Sequence, residues 1–391
     1  MRYIINTYQM KDDELRSVIS KYINKNTLND EPFYIIELSK IKEQYDIWTF
    51  LMPDIKPYFA IKSNPDMKII KLLAELGCNF DCASKNEIDL ILNIINEPNR
   101  IIFANPCKVP SHIKYAKCNN IKLMTFDCIE ELEKIKDLYN DAELVLRIAV
   151  DEAKSKCKFN SKFGCKIDDI TQIFEKIQRL NMKLVGLSFH VGSNCESPLS
   201  FYNAIMDCKF AYTIATKYGI KISIIDIGGG FPGIDSNISF KDIAEFIKKA
   251  QNEFFYKEIE NGLIKFIAEP GRFFTESSHT LVVNVIAKKK EKNIIKYYLN
   301  DGVYGSFNCI HYDHKLPKLI SLKENFINEE CKLSTFFGPT CDSMDVIYKD
   351  IYFYELNIGD WLYIKNFGSY TTSPSSSFNG FCVSKFIYYD S

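Results

Sequence analysis

The chain has 391 residues, 46% of them apolar and 14% aromatic, which is enough to bury two domains or one large α/β domain with an addition. Its 49 Lys and Arg against 50 Asp and Glu leave no net charge to draw it to nucleic acid or a membrane surface, so a small charged metabolite is the expected partner. Thirteen cysteines without regular spacing argue against a disulfide framework and a zinc site; with no signal-peptide core and no apolar run of about 20 residues, the expectation is a soluble cytoplasmic protein.

Residues 1 to about 38 read as an edge segment ending in a strand over Phe33-Tyr34-Ile35-Ile36. From there short apolar runs alternate with longer stretches of helical period. The runs fall near 58–62, 79–82, 101–104, 122–126, 143–149, 183–190, 221–227 and 264–268. Between them lie helical stretches such as 67–76, 86–95, 129–138, 167–180, 201–218 and 240–255. This is the count of a closed (β/α)8 barrel. An open doubly wound sheet would carry a glycine fingerprint after its first strand, where this chain has none.

Past about residue 275 the long helical periods stop, and strand-like runs appear at 280–286, 294–299, 361–364 and 381–389. The reading is a C-terminal all-β domain completed by the N-terminal segment. The expected division is a barrel over 38–275 and a β-domain formed by 1–37 and 276–391. Lys288-Lys289-Lys290 reads as a solvated turn rather than a binding patch.

In such a barrel the working face is the C-terminal rim of the strands. The polar residues there recur from strand to strand. The first strand ends in Lys62, the second in Asp81, and the fifth holds Arg147. The sixth ends in His190 with Ser193 behind it, the seventh runs into Asp226-Ile227-Gly228-Gly229-Gly230, and the eighth into Glu269-Pro270-Gly271-Arg272. Taken singly, each has a structural explanation: a core histidine, a helix cap, a solvated lysine. Six rim positions filled together point to one site.

Gly228, Gly229 and Gly230 can bring backbone N–H groups close to an anion because no Cβ intervenes. Arg272 and Ser193 supply further donors, at the place where barrels build phosphate sites. A lysine, a phosphate cradle, a carboxylate and an imidazole in one barrel mouth describe a site for pyridoxal 5'-phosphate. Lys62 would hold the cofactor covalently, Glu269 would pair with the ring nitrogen, and His190 would stack on the ring. Arg147 would lie near the ring substituents, and Asp81 would orient the Lys62 amine.

Over residues 30 to 389 the sequence resembles the eukaryotic ornithine decarboxylases, of the alanine-racemase-like fold group. The barrel motifs that carry the resemblance are Tyr58-Phe59-Ala60-Ile61-Lys62-Ser63-Asn64, Phe80-Asp81-Cys82-Ala83-Ser84-Lys85-Asn86-Glu87, Ala104-Asn105-Pro106-Cys107-Lys108, Phe189-His190-Val191-Gly192-Ser193 and the two glycine-rich rim segments. Beyond the barrel they are Tyr304-Gly305-Ser306-Phe307-Asn308, Tyr312-Asp313-His314, Gly338-Pro339-Thr340-Cys341-Asp342-Ser343-Met344-Asp345 and Gly368-Ser369-Tyr370-Thr371-Thr372.

The resemblance implies a homodimer with shared sites that decarboxylates L-ornithine to putrescine. Each site would take Glu87 and Tyr370 beside the rim residues from one subunit, and Cys341 and Asp342 from the other. Asp313, Asp342 and Tyr312 would meet the substrate, Cys341 or Lys62 would return a proton, and Lys162 with Asp345 would link the subunits. An antizyme-like regulator is a further implied partner. Asn194 departs from the family's usual glycine, and asparagine tolerates positive φ. Two alternatives stand beside this reading: a decarboxylase of the same fold acting on lysine, arginine or diaminopimelate, and a non-catalytic regulator like the antizyme inhibitors.

Overall fold

The computed structural model of the protein describes residues 12–26, 30–152, 155–157, 161–323 and 330–389. Contacts divide it into two units, one over Gln44–Phe274 and one that joins the residues up to Glu43 with those from Thr275 onward. Among the described residues no helix is long and apolar enough to cross a membrane.

In the Gln44–Phe274 unit eight parallel strands close into a barrel: Ile55–Ala60, Asn79–Cys82, Ile101–Phe103, Leu123–Phe126, Glu143–Arg147, Lys183–Ser188, Ile224–Asp226 and Lys265–Ala268. The alternation of apolar runs and helical periods therefore reports the (β/α)8 architecture. Helices start and stop on local chemistry. Asp66 caps Met67–Glu75 by accepting from Lys68 and Ile69, and Ser239 with Asp242 forms a capping box at Phe240–Phe254. Asn96 and Asn181 end their helices in the left-handed conformation at φ 43 and 49.

The period of two along each strand decides what fills the barrel. Ile102, Val145, Ile224 and Ile267, joined by Tyr58 and Val185, form one buried cluster drawn from six strands, so they point inward. Two residues further along, the same inward face carries Arg147 after Val145, Asp226 after Ile224 and Glu269 after Ile267. Register ties these ends together: Arg147 lies opposite Ser188 and Ser188 opposite Asp226, while Asp81 borders the plug opposite Ile102. A charged layer therefore sits on an apolar plug.

Outside the barrel, Trp48 is fully buried and its Nε1 donates to Ile55 O at 2.9 Å. Its ring meets Phe231 at 5.1 Å, Phe240 at 5.5 Å and Phe273 at 5.4 Å. Phe231 follows Gly230 and Phe273 follows Arg272, so this aromatic cluster anchors the two rim loops from behind.

Two details differ from the sequence reading of this unit. The first strand stops at Ala60, and Lys62 occupies a single 3-10 turn over Ile61–Ser63. The chain turns because Asn64-Pro65 does not continue a ladder, and Asn64 N–H closes on Ile61 O at 3.0 Å. A short ribbon pairs Ser155–Cys157 with Ser193–Cys195, which no hydrophobic period announces.

The other unit is an eight-stranded mixed sheet. His279–Glu291 is its longest strand, and Phe33–Glu37 pairs with it antiparallel and with Lys385–Tyr389 parallel. The N-terminal segment thus completes the β-unit. Alternate residues of Phe33–Glu37 divide between two cores. Tyr34 and Ile36 join Leu281, Val283 and Phe336, whereas Phe33 and Ile35 join Val282 and Tyr363. The second core is covered by Leu15 and Ile19 of the helix Asp12–Lys25, a region read from sequence as an edge segment. Lys288-Lys289-Lys290 lies inside a strand rather than in a turn, and Lys288 and Lys290 both reach Glu355 at 2.6 Å.

Candidate active site

Lys62 is carried to the rim by its 3-10 turn, with its side chain 46% exposed while its partner Asp81 is buried. Lys62 Nζ donates to Asp81 Oδ2 at 3.1 Å. The half-exposed ammonium is thus tied to a buried anion. Glu87 accepts the Ala83 N–H at 2.6 Å, and burial raises its carboxyl above the ordinary range.

His190 accepts the Gly192 N–H on Nδ1 at 2.9 Å, which leaves Nε2 as the protonated nitrogen of a neutral ring. Burial, helped by the Arg147 and Lys62 charges, holds His190 well below its usual value. A neutral imidazole can lie against an aromatic ring without charging the site. Burial likewise lowers Arg147. Arg147 Nη2 and Asp81 Oδ1 are closed off from solvent and have no hydrogen-bond partner among the described residues, a state that a polar ligand relieves.

The glycine loop is closed by packing. A Cβ on Gly228 would stand 2.1 Å from Phe189 O, one on Gly229 would stand 2.8 Å from Glu269 O, and one on Gly230 would stand 2.5 Å from Gly192 O. Gly228 and Gly230 also take φ of 62° and 104°. Arg272 is buried, and its Nη2 donates to Ser193 Oγ at 3.2 Å. Next to Ser193, Asn194 sits at φ 50, the conformation its side chain tolerates.

Glu269 and the fully buried Asp226 beside it form a carboxyl pair, with Glu269 Oε1 closed off from solvent. Burial drives both upward, and each raises or bonds the other. Asp226 was read from sequence only as the entry to the glycine run. Its role beside Glu269 comes from the register of two adjacent strands, Asp226 opposite Ile267.

In the β-unit the remaining predicted residues stand apart in character. Cys341 is exposed, Tyr312 is 71% exposed, and Asp313 is buried. Asp342 accepts from Met344 N at 3.0 Å and from the Tyr304 hydroxyl, and these bonds hold its carboxyl below the usual range. Tyr304 stacks on Phe378 at 4.3 Å; its bond to Asp342 has no sequence signature. Tyr370 adopts φ 54, unusual for a bulky side chain and a form of strain that collects at functional sites. Asp345 is buried and accepts from Val303 N at 2.8 Å and Thr340 Oγ1 at 2.7 Å, while Lys162 is exposed.

Residues 38–276 match the family model described as pyridoxal-dependent decarboxylase, pyridoxal binding domain. The chain belongs to the pyridoxal-dependent decarboxylases. It is 42% identical to a probable ornithine decarboxylase of Dictyostelium discoideum over 96% of this chain and 83% of that protein. It is 41% identical to antizyme inhibitor 2 of Xenopus laevis over 94% of this chain and 83% of that protein. Among solved structures it superposes with a TM-score of 0.91 on the arginine decarboxylase of Paramecium bursaria Chlorella virus, at 33% identity, covering 96% of this chain and all of that one.

The barrel rim fits the family's cofactor, pyridoxal 5'-phosphate. A glycine cradle too tight for any Cβ accepts a group only through its N–H edges, and Arg272 with Ser193 adds cationic and hydroxyl donors. Lys62 places an amine at the rim, and Arg147 Nη2 is a buried donor with no acceptor among the described residues.

Proposed function

We propose that this decarboxylase converts L-ornithine to putrescine and carbon dioxide, on sites shared between two copies of the chain. The observation that carries the reading is the single charged layer of the barrel mouth, where the Lys62–Asp81 pair, the glycine cradle and Glu269 sit together above an apolar plug. The similarity to the probable ornithine decarboxylase of Dictyostelium discoideum supports the substrate.

When bound, pyridoxal phosphate supplies an aromatic electron sink for the pair released as a carboxylate leaves. The residues of the chain do the rest. Gly229, Gly230, Ser193, Arg272 and Tyr370 hold the phosphate, and Gly228, whose N–H is taken by Asp226, shapes the turn that presents them. Asp81 fixes Lys62, Glu269 faces the ring nitrogen, and neutral His190 covers one ring face. Arg147 orients the substituents, and Glu87 keeps a second carboxyl near Lys62. Asp342 and Asp313, with Tyr312 beside them, take the distal ammonium of the substrate. The Sγ–H of Cys341 returns a proton to the carbon, with Lys62 as the other available donor.

A two-copy site is supported by the surface around Cys341. Tyr312 and Met344, exposed at 71% and 68%, line one pocket of the β-unit, and Cys341 N–H donates to Asn379 beside the exposed Phe378. Mixing inactive Lys62→Ala with inactive Cys341→Ala chains should restore about a quarter of the parental activity, since half the random dimers then carry one intact site of two. No recovery would reject the shared site. Twelve cysteines among the described residues are free, which supports a reducing compartment such as the cytoplasm.

A second reading, a regulator without catalysis, is favoured by the 41% identity to an antizyme inhibitor and would also supply an antizyme-like partner. The intact Lys62, His190, Glu269, Arg272 and Cys341 weigh against it. Carbon dioxide release measured side by side on ornithine, lysine, arginine and diaminopimelate decides among all readings. Release fastest from ornithine supports the proposal, another preferred amino acid replaces the substrate, and none from any supports the regulator.

A further inference from the structure

Asp226 is fully buried at the end of the seventh strand, and the chemistry above makes no use of it. Its Oδ1 accepts the Gly228 N–H at 2.9 Å and so fixes the first glycine of the cradle. Among the described residues its Oδ2 and Glu269 Oε1 meet no N–H or O–H donor, although the two side chains lie within hydrogen-bonding reach. Two carboxyls can bond only through a proton, and two buried anions at that distance repel strongly.

The charged groups facing this pair come from every adjoining element. Asp81 of the second strand adds repulsion, Arg147 of the fifth strand and Lys62 of the first rim turn add attraction, and Ser188 of the sixth strand is the register neighbour of Asp226. The net field of one added anion and two cations leaves a single shared proton as the balanced state.

We propose that Asp226 is a positioning residue of the cofactor site, which fixes the glycine cradle with one oxygen and shares with Glu269, through the other, the proton that the cofactor's ring nitrogen takes over. The transfer balances: the O–H bond of the pair breaks, an N–H bond forms at the ring nitrogen, and the electron pair of the broken bond stays on oxygen. Net charge in the site is unchanged, and solvent supplies no proton. This inference rests on the assignment of Glu269 to the ring nitrogen and of the cradle to the phosphate.

The test is direct titration of the cofactor-free full chain with pyridoxal phosphate, followed by absorbance between about pH 6 and 8. Asp226→Asn keeps the acceptor for Gly228 but places an N–H against Glu269, holding it as an anion with no proton to hand on. Below about pH 7, where the parent pair still holds its proton, its affinity should fall relative to the parent by an extra tenfold or so per pH unit as pH rises, one proton's worth. Asp226→Ala removes both contacts and should also weaken competition by inorganic phosphate about tenfold. If Asp226→Ala does not fold, the Asp226→Asn profile decides alone.

Thermal unfolding of the cofactor-free chain is a second readout. The folded pair holds a proton that an unfolded aspartate, with its ordinary value of 3.8, has released, and burial pushes Asp226 up to about 7. Stability from this proton is therefore complete at low pH and is lost as pH rises toward 7; Asp226→Asn should flatten that slope. Parental affinity, pH profile and unfolding slope in Asp226→Asn would overturn the inference. Glu269→Gln separates two failures. If it too binds like the parent at every pH, the ring-nitrogen assignment has failed; if it differs while Asp226→Asn does not, the fault lies with Asp226 alone.

Discussion

The barrel mouth and the β-unit both carry residues of the proposed site, yet their surroundings are opposite. At the mouth, Asp81, Asp226 and Arg272 are buried, and burial has moved Glu269, Asp226, His190 and Arg147 away from their ordinary values. In the β-unit, Cys341 and Tyr312 face solvent, and Asp342 keeps an ionised carboxyl through Met344 N–H and Tyr304. The closed barrel buries most of these groups by itself and can tune their charges alone. A hairpin segment on an open sheet has no such enclosure, so its acid and thiol act at full strength only when something covers them.

Four substitutions sharpen or break that contrast. Lys62→Ala removes the amine on which the finished half depends, and should lower kcat/KM by about a thousandfold or more, ~4 kcal/mol of barrier. It should also abolish the visible absorbance of bound cofactor; parental turnover would end the assignment. Gly229→Ala tests whether the mouth is rigid. Its new Cβ would press on Glu269 O at 2.8 Å and His190 Nε2 at 3.0 Å. Overpacking of this kind costs about 1–3 kcal/mol, so cofactor affinity should drop about tenfold to a hundredfold; unchanged affinity would mean that the cradle yields.

The β-unit should respond less, and through substrate rather than cofactor. Asp342→Ala should raise KM for ornithine about tenfold while the spectrum of bound cofactor stays parental. A shifted spectrum would show that the two regions are not separable. Tyr304→Phe, which leaves Asp342 ionised but less oriented, should raise the same KM about threefold. An effect as large as that of Asp342→Ala would make Tyr304 a binding group in its own right.

Much of this was legible in advance. Eight apolar runs alternating with helical periods forecast the barrel, and polar residues closing six of them forecast its mouth. The helix Asp12–Lys25 was missed although its signal is present: Leu15, Val18, Ile19, Tyr22 and Ile23 recur at helical spacing, behind three acidic residues at the start. The short segment was masked by its polar flanks. The strands Lys332–Phe337 and Val346–Phe353 lack a clean alternation because both contain register shifts against each other. Trp48 and Phe273 carry no local sign that they hold up the rim loops, since their partners lie far along the chain.

The order of residues by itself determined the inward face of every barrel strand and the chemistry placed at its end, because side chains alternate with period two and loops begin where glycine, proline and asparagine stand. Only the tertiary structure decided which of those ends are neighbours. Closing the sheet set Asp226 against Glu269 and His190 against Gly229, and burial there altered which of them carry charge, an effect of distance and desolvation that no linear pattern contains.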